Sequence, residues 1–146
     1  MPFVKPSNKI LVAGAPLSEE CVTEGALVKP GLLVVKGTGD HQVGLAGAGA
    51  VNVLGVADYD ARYNIADAFP DNHPVRVLSG PAVVVLILAA SQTIGKGDKL
   101  IAAADGQVQA YPGTPSAGDE EKIIGVARES VTTGGAETKP ILVELK

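Results

Sequence analysis

Residues that usually carry chemistry are scarce in this chain. Of its 146 residues one is cysteine, two are histidine, none is tryptophan, and aromatics make up 3%. With Cys21 alone no intrachain disulfide can form, which fits a chain made in a reducing compartment. The spacings that hold zinc, Cys-x-x-Cys, His-x-x-x-His and His-Glu-x-x-His, are missing. His41 lies in a Gly-rich stretch and His73 precedes a proline, positions that read as surface or turn. Neither is near Cys21 in sequence, and no nucleophile–base set is legible. Glu19-Glu20 and Glu120-Glu121 are paired only by adjacency. Neighbours on a strand point to opposite faces, so these carboxylates make poor acid–base pairs. The expectation is a protein that is not an enzyme and has no cofactor and no metal.

Positive charge is also in short supply. Lys and Arg number 12 against 16 Asp and Glu, a formal charge of -4, and no basic cluster occurs. A nucleic-acid partner is not expected, because that binding needs several phosphate contacts from Lys or Arg. The segment 44–49 is Gly-rich but lacks the Gly-Lys-Ser/Thr ending of a phosphate-binding loop. Long apolar runs are absent too. The longest, 82–90, has nine residues, whereas a bilayer-spanning helix needs about 20. The first six residues show no apolar signal core. A soluble protein with no membrane partner is expected.

What is present is aliphatic and rich in turns. Hydrophobic residues are 46% of the chain, with 18 Gly and 10 Pro. A core of Val, Leu, Ile and Ala is implied, in the proportions of a turn-rich β-protein. Pro30-Gly31, Ser79-Gly80-Pro81 and Asp105-Gly106 separate short apolar runs, the pattern of a β-barrel or sandwich. The run 82–89 does not alternate, so that strand should be buried on both faces, in a central position or against another subunit. Asp58, Asp60, Asp67 and Asp71 fall in a polar stretch that lacks EF-hand spacing and reads as a solvated loop.

The chain also repeats itself. Landmarks of the first half recur in the second at offsets of 67 (Lys29, Lys96), 70 (Gly55, Gly125) and 66 (Pro74, Pro140). Two similar β-units are expected, at about 25–80 and 92–146, with pseudo-twofold symmetry, inside one β-domain of residues 21–146. Residues 1–20, interrupted by Pro2, Pro6 and Pro16, are expected to form an extended arm. Gly55 and Gly125 should occupy equivalent places.

The order of these landmarks resembles a known family. Lys29-Pro30-Gly31-Leu32-Leu33-Val34 is followed by Gly55-Val56-Ala57 and Val75-Arg76-Val77-Leu78-Ser79-Gly80; Gly97-Asp98-Lys99-Leu100 and Gly125-Val126-Ala127 follow. The pattern is similar to the capsid decoration, or cement, proteins of tailed phages, including the lambda-type head-stabilising protein. The resemblance implies a structural virion protein that sits as a homotrimer on the outer surface of an icosahedral capsid. It implies the major capsid protein as partner, synthesis in the host cytoplasm, and an N-terminal arm reaching across capsid subunits. On that expectation Pro2, Phe3, Val4, Lys5 and Pro6 are the capsid-contact residues. Val83, Val85 and Ile87, on the longest apolar run, are the expected self-association residues. Two other readings stay open: a barrel-sandwich carrier or binding module, drawn from Gly97-Asp98-Lys99-Leu100, and a small β-barrel enzyme.

Overall fold

A computed structural model describes residues 9–146, in which all regular structure is strand apart from 3₁₀ turns at Ala104–Gly106 and Asp119–Lys122. Residues 1–8, and with them Pro2, Phe3, Val4, Lys5 and Pro6, lie outside the described residues. A short strand, β1 (Leu11–Gly14), comes first. Then β2 (Leu17–Thr23), β3 (Leu33–Lys36), β4 (Gln42–Leu45), β5 (Val53–Ala57) and β6 (Pro74–Ser79) close a barrel in the order β2-β4-β3-β5-β6. The second half supplies β7 (Ala82–Leu88), the two-residue β8 (Thr93–Ile94), β9 (Lys99–Ala102), β10 (Val108–Ala110), β11 (Ile123–Ala127), the two-residue β12 (Val131–Thr132) and β13 (Lys139–Leu145). Here β7-β10-β9-β11-β13 are neighbours in that order and β13 pairs back onto β7, while β8 and β12 form a ribbon of their own.

The two units match strand for strand. Each begins with a strand that pairs parallel with the third barrel strand of its unit, β2 with β4 and β7 with β10, and antiparallel with the last, β6 or β13. Val34 faces Gly55 as Leu100 faces Gly125, and Val56 faces Leu78 as Val126 faces Glu144. Hydrogen bonds repeat too: Gly31 N–H to the Ala57 carbonyl (3.0 Å) and Gly97 N–H to that of Ala127 (2.8 Å). Gly31 is therefore the partner of Gly97, an offset of 66, and the lysine-to-lysine offset of 67 is one too many. Both glycines have positive φ, +89° and +96°, which a side chain resists. The conformational need fixes the glycine, and the lysine beside it is free to slide. The first strands, β2 and β7, lie ahead of the expected repeat boundaries at 25 and 92.

The barrels have separate interiors but are not separate bodies. Cys21, Val28, Val34, Val43, Ala57, Phe69, Val75 and Val77 fill the first. Leu33, Val56 and Leu78 alternate with these and point out of it, yet they are almost fully buried and belong to the core of the second barrel. Their counterparts in the second unit are Lys99, Val126 and Glu144, of which the lysine and glutamate are exposed. Equivalent faces therefore do not meet, and the pseudo-twofold arrangement expected from the repeat is replaced by a heterologous one. Backbone contacts seal the junction: Gly49 N–H to the Ala102 carbonyl (2.9 Å) and Gly106 N–H to that of Ala46 (2.8 Å).

Of the stretch expected as an arm, residues 9–20 lie against the body. Ile10 is 2% exposed, β1 pairs antiparallel with the first half of β7, and Leu17 to Glu20 are in β2. Ile10 and Leu11 are apolar and next to the unpaired edge of β7, so burial and ladder hydrogen bonds favour docking over extension. β7 is fully buried on its inner face, through Ala82, Val84, Leu86 and Leu88; on its outer face Val85, beside Ile10 in the ladder, is 6% exposed, while Val83 and Ile87 are half-buried.

Gly55 and Gly125 occupy the predicted equivalent places. Each follows an irregularity in the ladder, and a Cβ at either would run into a carbonyl oxygen of the next strand, Leu78 for Gly55 and Glu144 for Gly125. Overpacking against a fixed backbone costs about 1–3 kcal/mol or more. Gly55→Ala and Gly125→Ala should each lower unfolding free energy in urea by about 2 kcal/mol or more. Gly44→Ala, where a Cβ meets nothing within 4 Å, should leave the urea midpoint nearly unchanged.

Candidate functional site

Among the described residues, those with chemical potential are spread out. Cys21 is buried in the first barrel, and burial, followed by the charge of Glu19, pushes its thiol upward. That favours the unreactive thiol over the thiolate. His73 directly follows the turn at 71–72, as one of its two expected roles has it, but its ring is packed, with the side chain 12% exposed, and is not a surface group. It stacks on Phe69 (centroids 5.4 Å, planes 13° apart) and meets the edge of Tyr63 at 4.9 Å. Its N–H on the backbone donates to Thr23 Oγ1 (3.0 Å), and the Thr23 hydroxyl donates to the Pro70 carbonyl (2.6 Å). His73 Nε2 lies 3.7 Å from Asp60 Oδ2, beyond hydrogen-bond range. The ring packs against the first core through Phe69, and its Nε2 is buried. A signal for this lay in the sequence: Tyr59, Tyr63 and Phe69 are three of five aromatics and fall in the loop that leads to His73.

The acidic loop uses its carboxylates to shape itself. Asp60 binds the Arg62 guanidinium (Nη2–Oδ2 2.7 Å) and its backbone N–H, and these hold its carboxyl well below the usual range. Asp58 accepts the Tyr59 N–H (2.8 Å), yet burial outweighs that bond and raises its pKa. Asp71 accepts from Gly25 N–H (2.7 Å) and Asn72 N–H (3.0 Å), tying the loop to the end of β2. Among the described residues no cluster of three metal-binding side chains occurs. Gly97-Asp98 lies in the turn from β8 to β9, which do not pair with each other, and Lys99 is already the first residue of β9. That turn is not the hairpin tip on which a carrier domain presents its lysine.

The surface of the described residues carries a long apolar groove. A cleft of about 530 Å³ lined by Leu27, Leu32, Leu45 and Asp105 adjoins one of about 300 Å³ lined by Ile10, Val85 and Pro140. The two share Pro30, Ile65, Ala66 and Ile87, so they form a continuous groove that crosses from the first barrel to β7. Leu27 stands 71% exposed beside it. Two of the three expected self-association residues, Val85 and Ile87, line this groove. Val83 does not; it is half-buried between Ala13 of β1 and Glu144 of β13.

The model of the structural cement protein family (E217 gp24/Pam3 gp6) matches residues 10–146. The chain belongs to that family. A cement protein of phages has a structural, capsid-stabilising role, and its place is in the virion capsid. The match takes in both barrels and begins at the buried Ile10, so β1 lies within the matched span. Among solved structures, the N base of the head fiber gp8.5 of bacteriophage phi29 superposes with a TM-score of 0.54. It does so over 90% of this chain and 95% of that one at 15% identity, a shared fold. No curated protein matches the cement protein's sequence.

The pairing of Asp60 with Arg62 gives a pH dependence of known sign. A carboxyl whose pKa is lowered by folding adds stability above its unfolded pKa, about 4, and loses it as pH falls through the folded value. Asp60→Asn should lower the urea midpoint of the cement protein near neutral pH. The difference from wild type should shrink as the buffer is taken below the ordinary carboxylate range; a constant difference at all pH values would contradict the assignment.

Proposed function

We propose that this cement protein binds the outer surface of an icosahedral phage shell as a homotrimer and ties together neighbouring copies of the major capsid protein. It is made in the host cytoplasm, performs no catalytic step, and needs no cofactor, metal, nucleic acid or membrane. The observation that carries this reading is the family match over a body of two barrels joined by one core. Such a body resists bending, and a clamp must be stiff if it is to oppose shell expansion. Its groove, with Leu27 exposed and Val85 and Ile87 along the wall, supports self-association, since apolar burial contributes roughly 25 cal/mol per Å². Association costs consume much of that gain. Many copies on one particle act together, so weak individual sites suffice.

Expanded empty capsids should pellet with the purified protein and disrupt at a higher temperature than bare capsids. Equal disruption temperatures without co-sedimentation would refute the placement. The self-association face is checked by mass: light scattering should give three times 14.8 kDa, and Ile87→Lys should shift the mass toward that of one chain. Removing residues 2–8, which include Phe3 and Val4, should leave the melting temperature of the barrels unchanged and weaken capsid attachment.

A further inference from the structure

The two barrels differ at one edge. In the second unit the first half of β7 carries an added strand: β1 pairs antiparallel through Leu11 with Val84, Ala13 with Val83 and Gly14 with Ala82. The matched registers make Leu17, Ser18, Glu19 and Glu20 the counterparts of Ala82, Val83, Val84 and Val85. On that edge of β2, pairing with β4 is confined to Val22 and Thr23, and among the described residues nothing pairs with the four residues before Cys21. All four are exposed, and Leu17 is 75% accessible.

Hydrogen-bond parity shows which groups are left open. Val22 N–H donates toward the β4 side, to His41 (2.8 Å), and Thr23 N–H toward the β6 side, to His73 (2.9 Å). Direction alternates along a strand, so the N–H and carbonyl groups of Ser18 and Glu20 face the open edge. In the second unit the counterpart of Glu20 N–H, that of Val85, donates to the Ile10 carbonyl (2.9 Å). The same position is satisfied by an added strand in one barrel and left open in the other.

We propose that the edge Leu17–Glu20 accepts an antiparallel extended segment with basic side chains, supplied by the capsid shell. The proposal rests on the functional reading above for the source of that segment. Charge selects the occupant. Glu19 and Glu20 make no salt bridge with any described residue. Two copies of this edge paired antiparallel would bring carboxylates face to face, which destabilises a ladder. Because Glu19 and Glu20 lie on opposite faces of the strand, a segment with Lys or Arg at alternate positions meets one of them favourably, and main-chain bonds give affinity independent of its exact sequence.

Proline separates the edge from the barrel. At position 20 it removes an N–H aimed outward, which an edge strand tolerates; at position 19 it removes one aimed at β6. Glu20→Pro should keep the wild-type melting temperature within a few degrees and lose at least tenfold in affinity for expanded capsids. Glu19→Pro should lower the melting temperature. Wild-type affinity in folded Glu20→Pro would overturn the proposal. A blocked hexapeptide of alternating lysine and valine is the probe without capsids. It should slow amide hydrogen exchange at Ser18 and Glu20, and unchanged exchange at both would overturn the edge assignment whether or not capsids bind. If the peptide protects the edge but capsids do not bind, the outer-shell placement fails and the source of the segment with it. A dimer of the free protein that Glu20→Pro abolishes would make a second copy the occupant and overturn the basic-segment assignment.

Discussion

The burial of Leu33, Val56 and Leu78 outside their own barrel is the contact on which the rest of the molecule depends. These side chains leave the first barrel and enter the core of the second. Each such burial contributes about 1.5–3 kcal/mol by transfer from water, and more is lost if a cavity is left. The repeat could have produced two beads on a string. The outward-facing apolar triplet in one unit, against Lys99, Val126 and Glu144 in the other, makes it one body with a defined order. The first barrel has an apolar outer face because it is covered, and the second has a charged one because it is not.

Closing barrels this small with so few aromatics demands compact polar plugs. The two units use a buried threonine in mirrored ways. Thr23, at the end of β2, donates to Pro70 in the segment leading to β6. Thr133, in the segment leading to β13, donates to Ala89 just past β7 (2.6 Å) and accepts from Gln92 N–H (2.9 Å). The hydroxyl sits on opposite partners of the same junction and satisfies backbone groups that would otherwise be buried unpaired. A repeated fold conserves the need without conserving the residue that meets it.

This explains what could be seen in the sequence. Gly55 and Gly125 were legible because a backbone carbonyl occupies the space a Cβ would take, and only glycine answers that constraint. The non-alternating run 82–89 was legible as a largely buried strand, although Val83 and Ile87 on its outer face are only half-buried. The strands β2 and β7 were not legible as a pair, since Leu17 and Glu19 of one stand where the other has Ala82 and Val84. One end of the strand is exposed in the first barrel and filled in the second, so the two sequences answer to different surroundings. The apolar groove was half legible: Val85 and Ile87 belong to one run, but Leu27, Ile65 and Pro140 reach it only through the fold. The packing of the His73 ring was not legible, because a lone histidine before a proline says nothing about Phe69 and Tyr63 folding back onto it.

The position of β1 has a consequence for how the chain acquires its shape. β1 precedes the first barrel in sequence but pairs with β7, which opens the second. Some 70 residues of loop must close before that ladder forms, an entropic cost that slows the step. On a ribosome, where domains generally fold as they emerge, the first barrel has no completed neighbour for Leu33, Val56 and Leu78 until the second is synthesised. The repeat therefore does not give two independent folding units. Maturation waits for the C-terminal half, and a truncated chain exposes the same apolar triplet that unites the finished molecule.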